Sequence, residues 1–281
     1  MEAATDSHEA RTLLRVRNLT VSFPLPAGRA LAVDRVSFDV RQGETIGVVG
    51  ESGCGKSTTL KTLVGLVGAP GRVDAGQALW GDGRDLLHMP RPGLRELRGR
   101  EVAMIFQDPL ESLDPVFSIG DQLREVLRSR GGFSKAAARR EALHLLERVH
   151  IPAADRRLAD YPHQLSGGMR QRVTIALAIA GSPALLLADE PTTALDVTIQ
   201  DQILSLLAEL QDELDMAIVL VSHDLGIIAQ YADRVLVMHA GQVVEGGTAS
   251  EVLNTPRHPH TAALLASVPR MPGETAVRHG I

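Results

Sequence analysis

Residues 50–57 read Gly50-Glu51-Ser52-Gly53-Cys54-Gly55-Lys56-Ser57 and satisfy G-x-x-x-x-G-K-[ST] at every fixed position. The chemistry of that spacing is phosphate binding. Glycines let the backbone curl so that successive N–H groups face one anion. A helix beginning at the lysine adds its positive terminus. Lys56 supplies a compact cation able to reach between β- and γ-phosphates, and the Ser57 hydroxyl is a ligand for Mg2+. The chain makes this lysine conspicuous. It carries 29 Lys and Arg, and only Lys56, Lys61 and Lys135 are lysines. Lys61 and Lys135 have no such setting and read as surface residues.

A second group of reactive residues closes the run Ala-Leu-Leu-Leu-Ala-Asp189-Glu190. An apolar strand ending in two acids puts both at the carboxyl edge of a sheet, where open α/β folds bind ligands. Asp189 is suited to hold Mg2+ through water, and Glu190 to polarise an attacking water. Alone, such a pair is as well explained as a strand running out into a solvated acidic turn. The phosphate loop in the same chain tips the balance toward chemistry.

The surrounding elements must hold these groups. β-rich runs are expected at 13–23, 36–40 and 45–49, with Gly28, Gly43, Pro24 and Pro26 between them. Residues 56–66 read as the helix after the loop. Strands are expected at 184–189, 216–222 and 235–239, with a helix over 198–214. This alternation predicts a largely parallel sheet. Residues 120–128 and 134–149 have helical spacing and read as an insertion into that core. The glycine-rich stretch 69–83 reads as loops and short strands.

Composition narrows the class. The 281 residues are 44% hydrophobic and 22% charged, with net charge −5, which is not the balance of a nucleic-acid binder. No apolar run approaches the ~18–20 residues needed to cross a bilayer. The first 14 residues carry acids and no apolar segment, so no secretory signal is expected. The single cysteine, Cys54, excludes an internal disulfide or an all-cysteine metal cluster within this chain. It reads as a packing residue in a variable position of the loop.

One further motif makes the whole pattern familiar. Leu165-Ser166-Gly167-Gly168-Met169-Arg170-Gln171-Arg172 resembles the signature of ATP-binding cassette (ABC) ATPases. In the order that family requires, Gln107 of Phe106-Gln-Asp-Pro matches the glutamine loop. Ala194-Leu195-Asp196 matches the aspartate loop, and His223 of Val221-Ser-His-Asp224 matches the switch histidine. The resemblance spans about residues 13–270. It implies an α/β P-loop NTPase fold with a RecA-like core, an N-terminal antiparallel β-subdomain and a helical subdomain at about 108–166, the cassette covering 13–265.

By the same resemblance the ligands are ATP and Mg2+. The nucleotide contacts are Phe23 under adenine, Gly50 to Ser57, Thr58, Gln107, Ser166, Gly167, Gly168, Asp189 and Asp196. Ser57, Gln107 and Asp189 are the metal contacts. Glu190, His223, Gln107 and Lys56 are the catalytic set. Ser166 and the two glycines would close over the nucleotide of a partner subunit, and Asp196 would lie at the seam while capping its own helix. Phe23 also reads as an ordinary core aromatic.

Finer matches, Phe106-Gln-Asp-Pro-Leu-Glu-Ser-Leu-Asp-Pro115 and Tyr161-Pro-His-Gln-Leu-Ser-Gly-Gly168, resemble the dipeptide, oligopeptide and nickel importers. So does Arg257-His-Pro-His-Thr-Ala-Ala-Leu264, within an expected C-terminal extension at 255–281, with His260 where those importers carry Tyr. The resemblance implies a second cassette in a heterodimer, two membrane permeases, an extracytoplasmic substrate-binding protein and a peripheral place on the cytoplasmic face of the cell membrane. Nickel, opine and glutathione importers of the same family, and a soluble ABC ATPase outside transport, are the alternatives.

Overall fold

The computed structural model describes residues 11–26, 28–193 and 195–267. Ala194 of the aspartate loop and residues 268–281 of the expected extension lie outside them. The chain opens with a long hairpin, β1 (Thr12–Leu25) and β2 (Gly28–Arg41), paired antiparallel. Leu14, Val16, Leu19 and Val21 turn inward from β1, fully buried. β3 (Thr45–Val49) leads into the phosphate loop and α1 (Lys56–Leu63). β4 (Arg72–Trp80) returns to pair with β1, giving a three-stranded antiparallel sheet in the order β2-β1-β4.

The chain continues through α2 (Arg91–Leu97), β5 (Val102–Ile105), α3 (Ile119–Gly131), α4 (Lys135–Arg148), the short α5 (Ala154–Arg157), α6 (Gly167–Ile179) and β6 (Leu185–Asp189). It closes with α7 (Val197–Leu214), β7 (Ala217–Val221), α8 (Leu225–Tyr231), β8 (Arg234–His239), β9 (Gln242–Thr248), α9 (Ala249–Asn254) and α10 (Pro259–Ala266). Side-chain caps set several helix starts. Ser118, Ser134, Ser166 and Asp196 each accept a backbone N–H three residues on.

The six-stranded sheet runs β5-β6-β7-β3-β8-β9, parallel throughout except for antiparallel β9. Its two faces pack on different partners. Leu186, Ala188, Ile218 and Leu220 join the core beneath the helices, including Leu123 and Leu127 of α3 and Leu145 and Leu146 of α4. Leu185, Leu187, Ala217 and Val219 face α1 and the antiparallel sheet. Burial on both faces explains why β6 and β7 are unbroken apolar runs rather than alternating ones. The expected α/β architecture is present.

Three local expectations change. The run read at 36–40 is only the end of a 14-residue strand, whose first half is mostly exposed or half-buried and holds Ala30, Leu31, Ala32 and Val33 in succession rather than an apolar–polar alternation. The stretch read as loops and short strands contains the nine-residue β4. β4 is mostly exposed through its first six positions, so it lacks the pattern by which strands are recognised. The helix after the loop stops at Leu63 rather than continuing to 66.

Candidate active site

Four neighbouring parallel strands deliver the reactive residues to one edge. β5 ends just before Gln107, β6 ends in Asp189 with Glu190 next, β7 leads to His223, and β3 leads into the phosphate loop. Pleat alternation settles where the two acids go. Asp189 shares the parity of Leu185 and Leu187, whose side chains face α1. It therefore meets the first turn of that helix, where the Ser57 hydroxyl donates to Asp189 Oδ1 at 2.7 Å.

The loop is shaped by close backbone approaches. Gly50 (φ +151°) and Gly55 (φ +105°) hold conformations that L side chains rarely adopt. A Cβ on Gly50 would lie 2.2 Å from the Met238 carbonyl oxygen, and one on Gly55 equally near that of Ala32. Lys56 is buried, and its ammonium donates to the carbonyls of Gly50 at 2.8 Å and Glu51 at 2.9 Å. Cys54 is buried in the core cluster that contains Leu60 and Leu63, as its packing reading expects.

Glu190 is the hub of the acidic side. Its Oε2 accepts from Thr193 Oγ1 at 2.8 Å and Gln107 Nε2 at 3.3 Å, and lies 3.4 Å from His223 Nδ1. Its backbone is left-handed (φ +48°), with its N–H bonded to the Val221 carbonyl at 3.1 Å. A non-glycine residue in that region stores about 1–3 kcal/mol and persists only where the surroundings fix it. Here the β7 edge and three side-chain contacts do so, aiming the carboxylate into the cleft.

Ser52, Gly53, Gly55, Lys56, Ser57, Thr58, Gln107, Glu190 and His223 line that cleft of about 270 Å3. Burial pushes the Asp189 carboxyl above its ordinary pKa. The Ser57 hydrogen bond, Lys61 and Lys56 pull it back, while Glu190 adds to the rise. A divalent cation beside it would stabilise the ionised form. The oxygen donors Ser57 and Asp189, already in contact, fit the hard-ligand preference of Mg2+.

Two contributors escape a motif reading. Lys61 is half-buried and electrostatically coupled to Asp189, not merely a surface residue. Its position four residues after Ser57 on α1 places both on one helix face, and that spacing was the available signal. Thr193 orders Glu190 from three residues away.

Other expected residues stand apart. Phe23 does not line the cleft. It is half-buried on β1 with its ring over Gly71. Ser166, Gly167 and Gly168 are also outside the cleft, at the start of α6. Ser166 Oγ accepts from the Met169 N–H at 3.3 Å, and Gly168 lies against Ile199. Asp196 caps α7 through the Ile199 N–H at 3.0 Å.

Comparison with known proteins shows the family. The family model described as "ABC transporter" matches residues 33–193. The chain belongs to the ABC transporter family. It is an ATP-binding ATPase of that family. The chain is 50% identical over 258 residues to the dipeptide transport ATP-binding protein DppD of Lactococcus lactis subsp. cremoris, covering 92% of this chain and 74% of that one. It is 48% identical over 276 residues to the oligopeptide transport ATP-binding protein OppD of Salmonella typhimurium, covering 98% and 82%. Among solved structures, a dimeric post-hydrolysis state of the ATP-binding cassette MJ0796 bound to ADP and Pi aligns with TM-score 0.75 and 27% identity. That alignment covers 84% of this ABC ATPase and 99% of the other chain.

Proposed function

We propose that this ABC ATPase energises the import of di- or oligopeptides through a membrane complex. The observation that carries the reading is the convergence of the phosphate loop, Gln107, Asp189, Glu190 and His223 on one sheet edge. The named peptide-transport relatives supply the cargo class. Lys56 and the loop amides hold the phosphates of ATP. Ser57 and Asp189, with Gln107, would hold Mg2+, which supplies charge neutralisation at the transferring phosphoryl group. Glu190 takes the proton of the attacking water, and His223, in reach of the same carboxylate, orients it.

The signature residues require a second subunit. Ser166 to Gly168 lie outside their own chain's cleft, so they serve a site completed by a partner cassette, here proposed as a different chain. Support comes from Val197, next to Asp196, which is 81% exposed, an apolar side chain suited to a seam. On this reading Ser166→Arg puts bulk and charge into that seam and reduces hydrolysis in the assembled complex to background. Phosphate release at the normal rate would rule out the shared site.

A groove of about 580 Å3 begins one residue from Gln107. Phe106, Phe117, Met104 and Leu66 line it beside Asp114 and Gln122. Phe117 is 51% exposed there. An apolar groove joined to the glutamine loop is suited to a permease segment that passes the motion to the membrane. Among the described residues no helix is long and apolar enough to cross a membrane, so the permeases would be separate chains that hold the ATPase peripherally on the cytoplasmic face.

The deciding experiment is ATPase activity of the complex reconstituted with its permeases and substrate-binding protein. Di- or oligopeptide should stimulate turnover, and nickel, opine or glutathione should not. Stimulation by one of those solutes instead would transfer the assignment to it.

A further inference from the structure

We infer that Glu51, His239 and His260 form a binding site for a divalent late transition-metal cation of the Zn2+ type, separate from the Mg2+ position. One side-chain donor atom from each residue lies within 4.8 Å of the other two. The imidazole rings of His239 and His260 are 3.9 Å apart between centroids and tilted by 37°. His239 Nδ1 and His260 Nε2 are shielded from solvent, and neither has a hydrogen-bond partner among the described residues. A buried polar nitrogen without a partner costs free energy, and such groups call for an explanation. Two of them in adjacent rings, with a carboxylate in reach, are explained by a cation that accepts nitrogen lone pairs.

The three residues come from separate elements, each fixed independently. His239 ends β8, paired with Gln242 of β9. Glu51 is the second residue of the phosphate loop. His260 is on α10, whose start is pinned by the Glu245 carboxylate. That carboxylate accepts the Arg257 N–H at 2.7 Å and the His258 N–H at 3.0 Å. His258 Nδ1 in turn accepts the His260 N–H at 3.2 Å. The helix is thus held with His260 against the end of β8.

Two imidazoles and one carboxylate are a donor set that Zn2+ takes with a water in the fourth position, whereas Mg2+ prefers oxygen alone. Zinc bond lengths place tetrahedral donors about 3.3 Å apart. The donors stand within 4.8 Å of one another, so binding draws them together, the tilted rings splaying apart to aim their nitrogens at one point and the exposed Glu51 rotating inward. Occupancy would clasp the phosphate loop to the C-terminal helix.

The test is titration of the nucleotide-free full chain with Zn2+ against a chromophoric chelator, with thermal unfolding measured in parallel. A single stoichiometric Zn2+ and a higher Tm are expected. His239→Phe and His260→Phe keep a planar ring and should each abolish that binding. Glu51→Gln, at an exposed position where folding is not at stake, should weaken it about tenfold or more. Ser57→Ala and His88→Phe should leave it intact, separating it from the Mg2+ position and from the surface pair His88–Asp85. Absence of stoichiometric binding overturns the proposal. So does Zn2+ affinity unchanged in Glu51→Gln and in whichever histidine variants fold.

Discussion

Glu190→Gln should leave ATP binding intact and stop turnover. The substitution keeps the shape of a side chain that is 17% exposed and removes only its basicity. The groups proposed to hold phosphates, Lys56 and the loop backbone, make none of their contacts through it. Gln107, Thr193 and His223 converge on Glu190 Oε2 without forming part of the hydrophobic core, so folding should survive. Loss of a positioned general base costs about 10²–10⁴-fold in rate. Nucleotide binding and steady-state phosphate release in the assembled complex measure the two properties separately. Hydrolysis at the wild-type rate would remove Glu190 from the role of base.

Lys56→Ala should lose binding and turnover together. The ammonium bridges the Gly50 and Glu51 carbonyls and thereby fastens the mouth of the loop. Removing it leaves those acceptors short of a partner and takes away the one loop cation able to meet the β- and γ-phosphates. Hydrogen bonds to charged groups contribute about 1.5–3 kcal/mol, so ATP affinity should fall at least about tenfold from this contact alone. Lys56→Arg should not rescue it. The cradle admits a slim, buried amine, and a planar guanidinium needs more room and a forked partner. Unchanged affinity and rate in Lys56→Ala would refute the assignment.

The loop and the acid pair were legible because their chemistry fixes residue types at fixed separations. β6 and β7 were legible because burial on both faces leaves no polar residue in either run except the terminal Asp189. The pairing of Asp189 with Ser57, 132 residues away, follows from strand parity only once the face carrying α1 is known. β4 escaped notice because it packs at an edge with most of its surface in water. Lys61 was missed because its partner lies on another element. The His239–His260 contact joins residues whose spacing carries no motif, and only the docking of α10 on Glu245 brings the rings together.

The strand order has a consequence for biosynthesis. β3, which carries the phosphate loop, lies between β7 and β8, strands that emerge from the ribosome long after it. At about 5–20 residues per second, β3 waits on the order of ten to forty seconds for both neighbours. Until then the nascent chain exposes two unsatisfied strand edges. The nucleotide site is therefore among the last features to form, and a chain broken off before β8 has the whole loop motif without the sheet that makes it a site.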